Sequence, residues 1–400
     1  MKVSKLLAKS LLAGFVGGLS MMFVACSNET NSVDPGIPSI PGIPSDEIAT
    51  ANPVISTEDL NALLPNFNYS VYKEGSWYVI RLDMTGVQDP FTGDWVKLYG
   101  PGDSRQNVWL SIDDMPKGFS ITNTADEEGA QQTKAVDLVF LVDNSGSMSE
   151  EANALANQVL AWSQKLEASE LDMRFGLVGY DGRITGGINL GVVEELNQFL
   201  NNGSSGTSRT MHFTSKEGDD WNTWRSKYWV DDYVDECGVA ALRLADENFN
   251  FRTGANRAYV NFTDEANYSK GLDEFNVTYV MHKENWPSTK GTIHNVISTD
   301  SLDYWLTGVC NENPLLYQRP WNMSDYTGGT TKFVPSNFAG VTLDDLPITG
   351  ALQNSYIIKF TNIEHLFDGN EHDVHITVKS ASPNGEILAD KNFNIIFVKP

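Results

Sequence analysis

Apolar positions follow three successive rhythms along this chain. Between residues 51 and 134 they come in short runs rich in Val, Tyr and Trp, broken by Gly, Pro and Asp: "YSVYKEGSWYVIRLDM", "DWVKLYGPGD" and "NVWLSIDDMPKGFSIT". Such runs favour half-buried strands, and Lys73-Glu74-Gly75 has turn chemistry, so this part is expected to be a small β module with one helix at most, over 56–64. From Val136 the runs lengthen and alternate with amphipathic stretches. "VDLVFLV", "DMRFGLVGY", "NRAYVNFT" and "FNVTYVMH" read as buried strands, with "TTKFV" as a late one. "EEANALANQVLAWSQKL", "CGVAALRLADENF" and "SLDYWLTG" read as helices, the first capped by Ser149. Continuously apolar strands alternating with helices predict a parallel sheet covered on both faces. The tail, 355–400, returns to period-two alternation in "NSYIIKFTN", "EHDVHITVKSA" and "KNFNIIFV", with a turn at Ser382-Pro383-Asn384-Gly385. The β module and the tail either flank the α/β region, 135–354, or close together as one sandwich into which that region is inserted. His372 and His375 stand three apart on a predicted strand, so they face opposite sides and read as surface histidines, not a ligand pair.

The start of the chain follows a different logic. Lys2, Lys5 and Lys9 precede an apolar stretch from Leu11 to Ala25 that is short for a bilayer span, which is the pattern of a secretory signal over 1–25. Phe23-Val24-Ala25-Cys26 resembles a bacterial lipobox. That resemblance implies lipid on Cys26 and, with Ser27 next, sorting to the outer membrane, facing the cell surface or the periplasm. Residues 26–50 contain "VDPGIPSIPGIPSDE", whose Ile-Pro repeat favours extended polyproline. About twenty such residues at roughly 3.1 Å each make a tether on the order of 60 Å long. The chain has three cysteines. With Cys26 set aside, Cys237 and Cys310 are an even remainder that suggests a disulfide in an exported protein, although two buried thiols fit the same count. A formal net charge of -24 excludes nucleic acid as a partner and leaves membrane contact to the lipid anchor.

The chemistry concentrates where the first long strand stops. After Val142 come Asp143, Ser145 and Ser147, three hard oxygen donors at alternate positions, with Gly146 easing the bend. In open parallel sheets, ligands bind at the carboxyl ends of strands. Asp264 ends another predicted strand, "YVNFT". These donors suit a small divalent cation. Asp143-Asn144-Ser145-Gly146-Ser147 also resembles the Asp-x-Ser-x-Ser motif of von Willebrand factor type A domains, the core of their metal-ion-dependent adhesion site. "NFTDE" and "MSDYTGGTTKFV" are similar to later segments of the same family, and the likeness runs from about 135 to 354 in the right order. It implies a Rossmann-like α/β fold, a divalent cation (Mg²⁺ or Mn²⁺) held by Asp143, Ser145, Ser147 and Asp264, and an open position for a partner's carboxylate. It also implies binding, not catalysis; no His-Glu-x-x-His, phosphate loop or Gly-x-Ser-x-Gly elbow appears.

One departure changes the expected electrostatics. Where the family supplies a Thr, this chain has Asp235 or Glu236, with Thr210 and Thr223 further upstream. A third ionised carboxylate would add one negative charge, costing about 3 kcal/mol at roughly 5 Å from a partner's carboxylate at an effective dielectric of about 20. That predicts tighter metal, a shift towards Ca²⁺, and a poorer welcome for an acidic partner. Trp221, Trp224 and Trp229 crowd the preceding insertion and are candidate partner contacts, for protein or for carbohydrate. The sequence therefore supports a metal-dependent adhesion protein of the cell envelope engaging a protein or matrix partner. The alternative is an envelope carbohydrate-binding or scaffolding protein with a structural metal.

Overall fold

The structure is a computed structural model. It describes residues 40–123, 134–149, 151–168, 171–203, 205–230, 235–336, 342–343 and 347–400, so the signal, Cys26 and the first half of the tether lie outside the described residues. The β module begins with a hairpin, β1 (Phe67–Glu74) and β2 (Trp77–Met84), turning at Gly75 with a positive φ. β3 (Val108–Ile112), β4 (Met115–Pro116) and β5 (Ser120–Asn123) follow. "DWVKLYGPGD" forms no strand; its Trp95 makes a single bridge to Gln88. Residues 56–64 form turns and extended chain, not a helix.

The α/β region alternates as its apolar pattern predicts. Its strands are β6 (Lys134–Asp143), β7 (Leu171–Tyr180), β8 (Ile184–Gly191), β9 (Phe213–Thr214), β10 (Asn256–Thr263), β11 (Asn267–Tyr268), β12 (Thr292–Ile297), β13 (Tyr317–Gln318) and β14 (Thr331–Phe333). Its helices are α1 (Ala152–Glu167), α2 (Val193–Asn202), α3 (Trp221–Lys227), α4 (Gly238–Asn248), α5 (Thr278–Met281), α6 (Val309–Glu312), α7 (Trp321–Thr327) and α8 (Pro347–Gln353). Seven strands make the central sheet in the order β14-β12-β10-β6-β7-β8-β9, parallel except that β8 runs against β7. Both faces are covered. Leu138, Phe140 and Val142 point towards Val159, Trp162 and Leu166 of α1, while Val139 and Leu141 point towards Ala241 and Leu244 of α4. This two-sided burial is why the strand lacks polar alternation.

The tail supplies β15 (Tyr356–Phe360), β16 (His372–Ser382) and β17 (Gly385–Ile395). β15 lies between β2 and β5, and β16 pairs with β3, giving two four-stranded sheets, β1-β2-β15-β5 and β17-β16-β3-β4. One core joins them: Ile80, Leu82 and Ile358 on one sheet face Leu110, Ile376 and Phe393 on the other. Both sheets therefore mix strands from before and after the α/β region.

Several expectations are corrected. "FNVTYVMH" is not a strand: Asn276 Oδ1 accepts hydrogen bonds from the backbone and hydroxyl of Thr278, both at 2.9 Å, and starts α5 instead. The strand beside β10 is β12, whose His294 and Asn295 disguised a fully buried segment. Residues 40–50 are not free tether: Ile40 and Ile43 are buried against Val79, and Asp46 pairs with Lys117 at 2.9 Å. Cys237 and Cys310 form no disulfide. Cys237 sits in the core under Phe275, whereas Cys310 packs in a separate cluster with Ala266 and Val309. His372 is buried, its Nδ1 2.7 Å from Asp113, while His375 on the opposite face meets Asp390 at 2.8 Å.

Candidate functional site

β6 and β10 are parallel neighbours with Val142 opposite Phe262, so Asp143 and Thr263-Asp264 leave the sheet at the same carboxyl edge. Asp143 is 1% exposed. Its Oδ1 accepts a hydrogen bond from the backbone N–H of Ser145 at 2.8 Å, folding the loop back over the strand end. Its Oδ2 accepts one from Thr263 Oγ1 at 2.8 Å. Ser145 Oγ lies 2.8 Å from Ser147 Oγ, and Ser147 Oγ donates to Asp264 Oδ1 at 3.1 Å. Side-chain oxygens of Ser145, Ser147 and Asp264 thus form a hydrogen-bonded chain, tied through Thr263 and the Ser145 amide to Asp143.

Asn144 is the anchor of this loop. Its Nδ2 donates to Thr185 Oγ1 at 2.9 Å, and its Oδ1 accepts from Thr210 Oγ1 at 2.6 Å. Thr210 comes this close because Gly179 and Gly186 are cross-strand partners on β7 and β8. A Cβ on either glycine would collide with the Thr210 carbonyl. Thr210 therefore holds the loop from behind. Thr223, the other upstream candidate, lies within α3 and donates its backbone N–H at 3.1 Å and its hydroxyl at 2.7 Å to Asp220, which caps that helix.

Neither acid at the expected Thr position joins the oxygen chain. Asp235 Oδ2 accepts the Tyr317 hydroxyl at 3.0 Å. Glu236 is 7% exposed and its carboxyl meets that of Glu265, while its Oε2 is buried with no hydrogen-bond partner among the described residues. Burial, together with the charges of Asp143 and Glu265, pushes the Glu236 carboxyl up to about 11, so it holds a proton at neutral pH. Burial and the Asp264 charge push Asp143 up to about 8. Burial also raises Asp264. Sequence reasoning missed Glu151, which is 1% exposed behind the loop and accepts from Ser298 Oγ at 2.9 Å. It reads as an ordinary acid in a helix's first turn, and only the fold shows its burial.

The donor set is two carboxylates and two hydroxyls. Among the described residues no group of three or more His, Cys, Asp or Glu side chains is placed to hold a metal ion. Adjacent corners of an octahedron with bonds near 2.1 Å stand about 3 Å apart. The Ser145–Ser147 and Ser147–Asp264 separations, 2.8 and 3.1 Å, match that spacing. The residues present fit a small six-coordinate cation that draws its remaining ligands from solvent or a partner.

The tryptophans divide. Trp221 is 5% exposed, with Nε1 donating to Thr214 O at 3.1 Å and its ring 5.2 Å from Phe213, so it is core and not a contact surface. Trp224 lies half-buried against it, ring centres 5.0 Å apart. Trp229 is 44% exposed.

No family model matches the chain, and no curated protein sequence matches it. Among solved structures, BatB of Bacteroides thetaiotaomicron, a conserved hypothetical protein, aligns at 12% identity and a TM-score of 0.31, over 55% of this chain and 96% of its own. Proximal thread matrix protein 1 from the mussel byssus, solved with a zinc-occupied MIDAS motif, aligns at 11% identity and a TM-score of 0.33, over 60% of this chain and 49% of its own. The pilus adhesin SpaC of Lactobacillus rhamnosus GG aligns at 9% identity and a TM-score of 0.32, over 82% of this chain and 54% of its own. All three likenesses are distant.

Proposed function

We propose that this chain is a von Willebrand factor A-like binding protein of the bacterial envelope, anchored through Cys26, and that it engages an acidic protein or matrix partner through a divalent cation at the sheet rim. The observation that carries this reading is the clustering of Asp143, Ser145, Ser147 and Asp264 oxygens at the carboxyl ends of two adjacent parallel strands. When bound, the cation supplies a Lewis-acidic position for a partner's carboxylate. Asp143 and Asp264 balance its charge, the two serine hydroxyls add neutral donors, and Asn144 with Thr210 fixes the loop. Glu236 stands outside the oxygen chain, and in the metal-free protein burial raises its carboxyl, so it is not counted among the charges facing an acidic partner. With four protein donors, Mg²⁺ or Mn²⁺ is the expected ion. The reading assigns the site binding and no catalytic step. The carbohydrate alternative rested on three clustered tryptophans, and Trp221 is core.

Calorimetric titration of Mg²⁺ and Mn²⁺ into chelator-treated protein tests this. Micromolar to millimolar binding is expected, abolished by Asp143→Ala with the fold intact by circular dichroism. Wild-type protein that takes up neither ion sinks the proposal.

A further inference from the structure

Beside the Asn144 anchor a cleft of about 250 Å³ opens, walled by Ile184, Met211, Phe213 and Trp229, with Arg183 and Arg225 at its mouth. Its position is tied to the metal loop. Thr185 lines the cleft and holds Asn144 through its hydroxyl, and Met211 follows Thr210, which holds Asn144 from the other side. The cleft's charge is opposite to that of the chain as a whole. The chain carries 52 acids against 28 Lys and Arg. Yet Arg225 faces the Phe213 ring at 5.9 Å, and among the described residues no carboxylate stands in ion-pair range of it. Arg183 lies 5.8 Å from the Trp229 ring, and among the described residues its ion pair is a long one, 3.8 Å to Asp181. An acidic protein that keeps two guanidiniums poorly paired over aromatic rings presents an anion site. The lining also says what bears the anion. Among the described residues no Asn, Gln, Asp or Glu lines the cleft, and the Thr185 hydroxyl already serves Asn144, so side-chain acceptors for sugar hydroxyls are scarce while the two guanidiniums supply donors suited to a carboxylate. Met211 and Trp229, 42% and 44% exposed, offer apolar surface instead.

We propose that this cleft is a second contact point for an acidic protein partner: an apolar side chain seats against Met211, Phe213 and Trp229, and a neighbouring Asp or Glu carboxylate pairs with Arg183 and Arg225. That the same partner also engages the rim rests on the reading above; the cleft's own preference does not. The probes are immobilised twelve-residue Gly/Ser peptides carrying Asp-Leu or Glu-Phe pairs, their Asn-Leu and Gln-Phe counterparts, and polygalacturonate. Each is tested against the mature chain in Mg²⁺ and in chelator. The acidic–apolar peptides should be retained, and their amide counterparts should bind at least about tenfold more weakly. Arg183→Glu with Arg225→Glu should lose binding at an unchanged melting temperature, and Trp229→Ala should weaken it while leaving the charge in place. Equal retention of amide peptides, preference for polygalacturonate, or binding that survives both arginine reversals overturns the proposal. Binding that needs the arginines but ignores chelator keeps the cleft and sinks the rim. Binding that needs Mg²⁺ but ignores the arginines does the reverse.

Discussion

Asp143 has almost no water around it and the charge of Asp264 close by, and these two causes set its behaviour when no metal is bound. Its pKa rises from 3.8 to about 8. Between about pH 4 and about pH 8 the folded protein keeps a proton that the unfolded chain has released. The stability this contributes is complete below the unfolded value and is lost as pH rises through the folded one. The melting temperature of chelator-treated protein should therefore fall across that window, and Asp143→Asn, which has no proton to lose there, should flatten the fall. A divalent cation bound as proposed would have to displace the same proton, so Mg²⁺ affinity should rise by up to about tenfold per pH unit below 8 and level off above it. An affinity independent of pH from 6 to 9 in titration calorimetry would show that Asp143 is not the group displaced. At this scale the alternation of Asp143, Ser145 and Ser147 was legible because strand and turn geometry translate spacing directly into direction. The burial of Glu236, which raises its carboxyl in the metal-free protein, was not, because burial depends on what packs over a residue.

Elements were legible in proportion to how fully their surroundings agree with their local pattern. β6 and α1 have matching propensity, periodicity and burial, and both lie within two residues of the expected bounds. β8 escaped notice because it is rich in glycine, "ITGGINLG". The reason for that composition lies across the sheet: Gly186 and its partner Gly179 leave room for the Thr210 loop, which no strand propensity encodes. This gives an element-level prediction. Gly186→Ala places a Cβ against backbone and not against a flexible side-chain tip, so the Thr210 loop must move. A cost of about 1–3 kcal/mol in stability is expected. Mg²⁺ affinity should drop as well, because Asn144 loses the Thr210 support. Thr210→Val removes that support without the collision. If Thr210→Val leaves Mg²⁺ affinity unchanged by calorimetry, the loop does not depend on its rear anchor.

At the scale of the whole molecule, the α/β region leaves the sandwich and returns to it at one point. Asn123 ends β5, Tyr356 begins β15, and the two are direct partners across an antiparallel pair. Cα atoms so paired stand about 4.5–5.5 Å apart, which a two-residue hairpin turn spans. The sequence showed β rhythm on both sides of the insertion but could not show that these strands are neighbours, because pairing over more than two hundred residues leaves no local trace. Replacing residues 124–355 with Asn-Gly should therefore give a sandwich that folds alone. Its core of Ile80, Leu82, Leu110, Ile358, Ile376 and Phe393 stays whole. The losses fall at the junction. Lys391 Nζ gives up the Tyr326 carbonyl at 2.7 Å but keeps Asn66 Oδ1 at 3.1 Å, and Asn66 loses the Gly291 carbonyl. Burial holds Lys391 down at about 8, and removing the α/β region exposes it to water, which restores its hydration. The Asn66 and Gly86 amides also lose the Thr327 and Ala351 carbonyls, Asn68 loses the Ala255 carbonyl and Trp95 its packing on Gly350, yet the apolar core is intact, so the excised sandwich should melt cooperatively, at a lower temperature than the parent. A product with no cooperative transition by circular dichroism and calorimetry would mean that the sandwich borrows its stability from the inserted region.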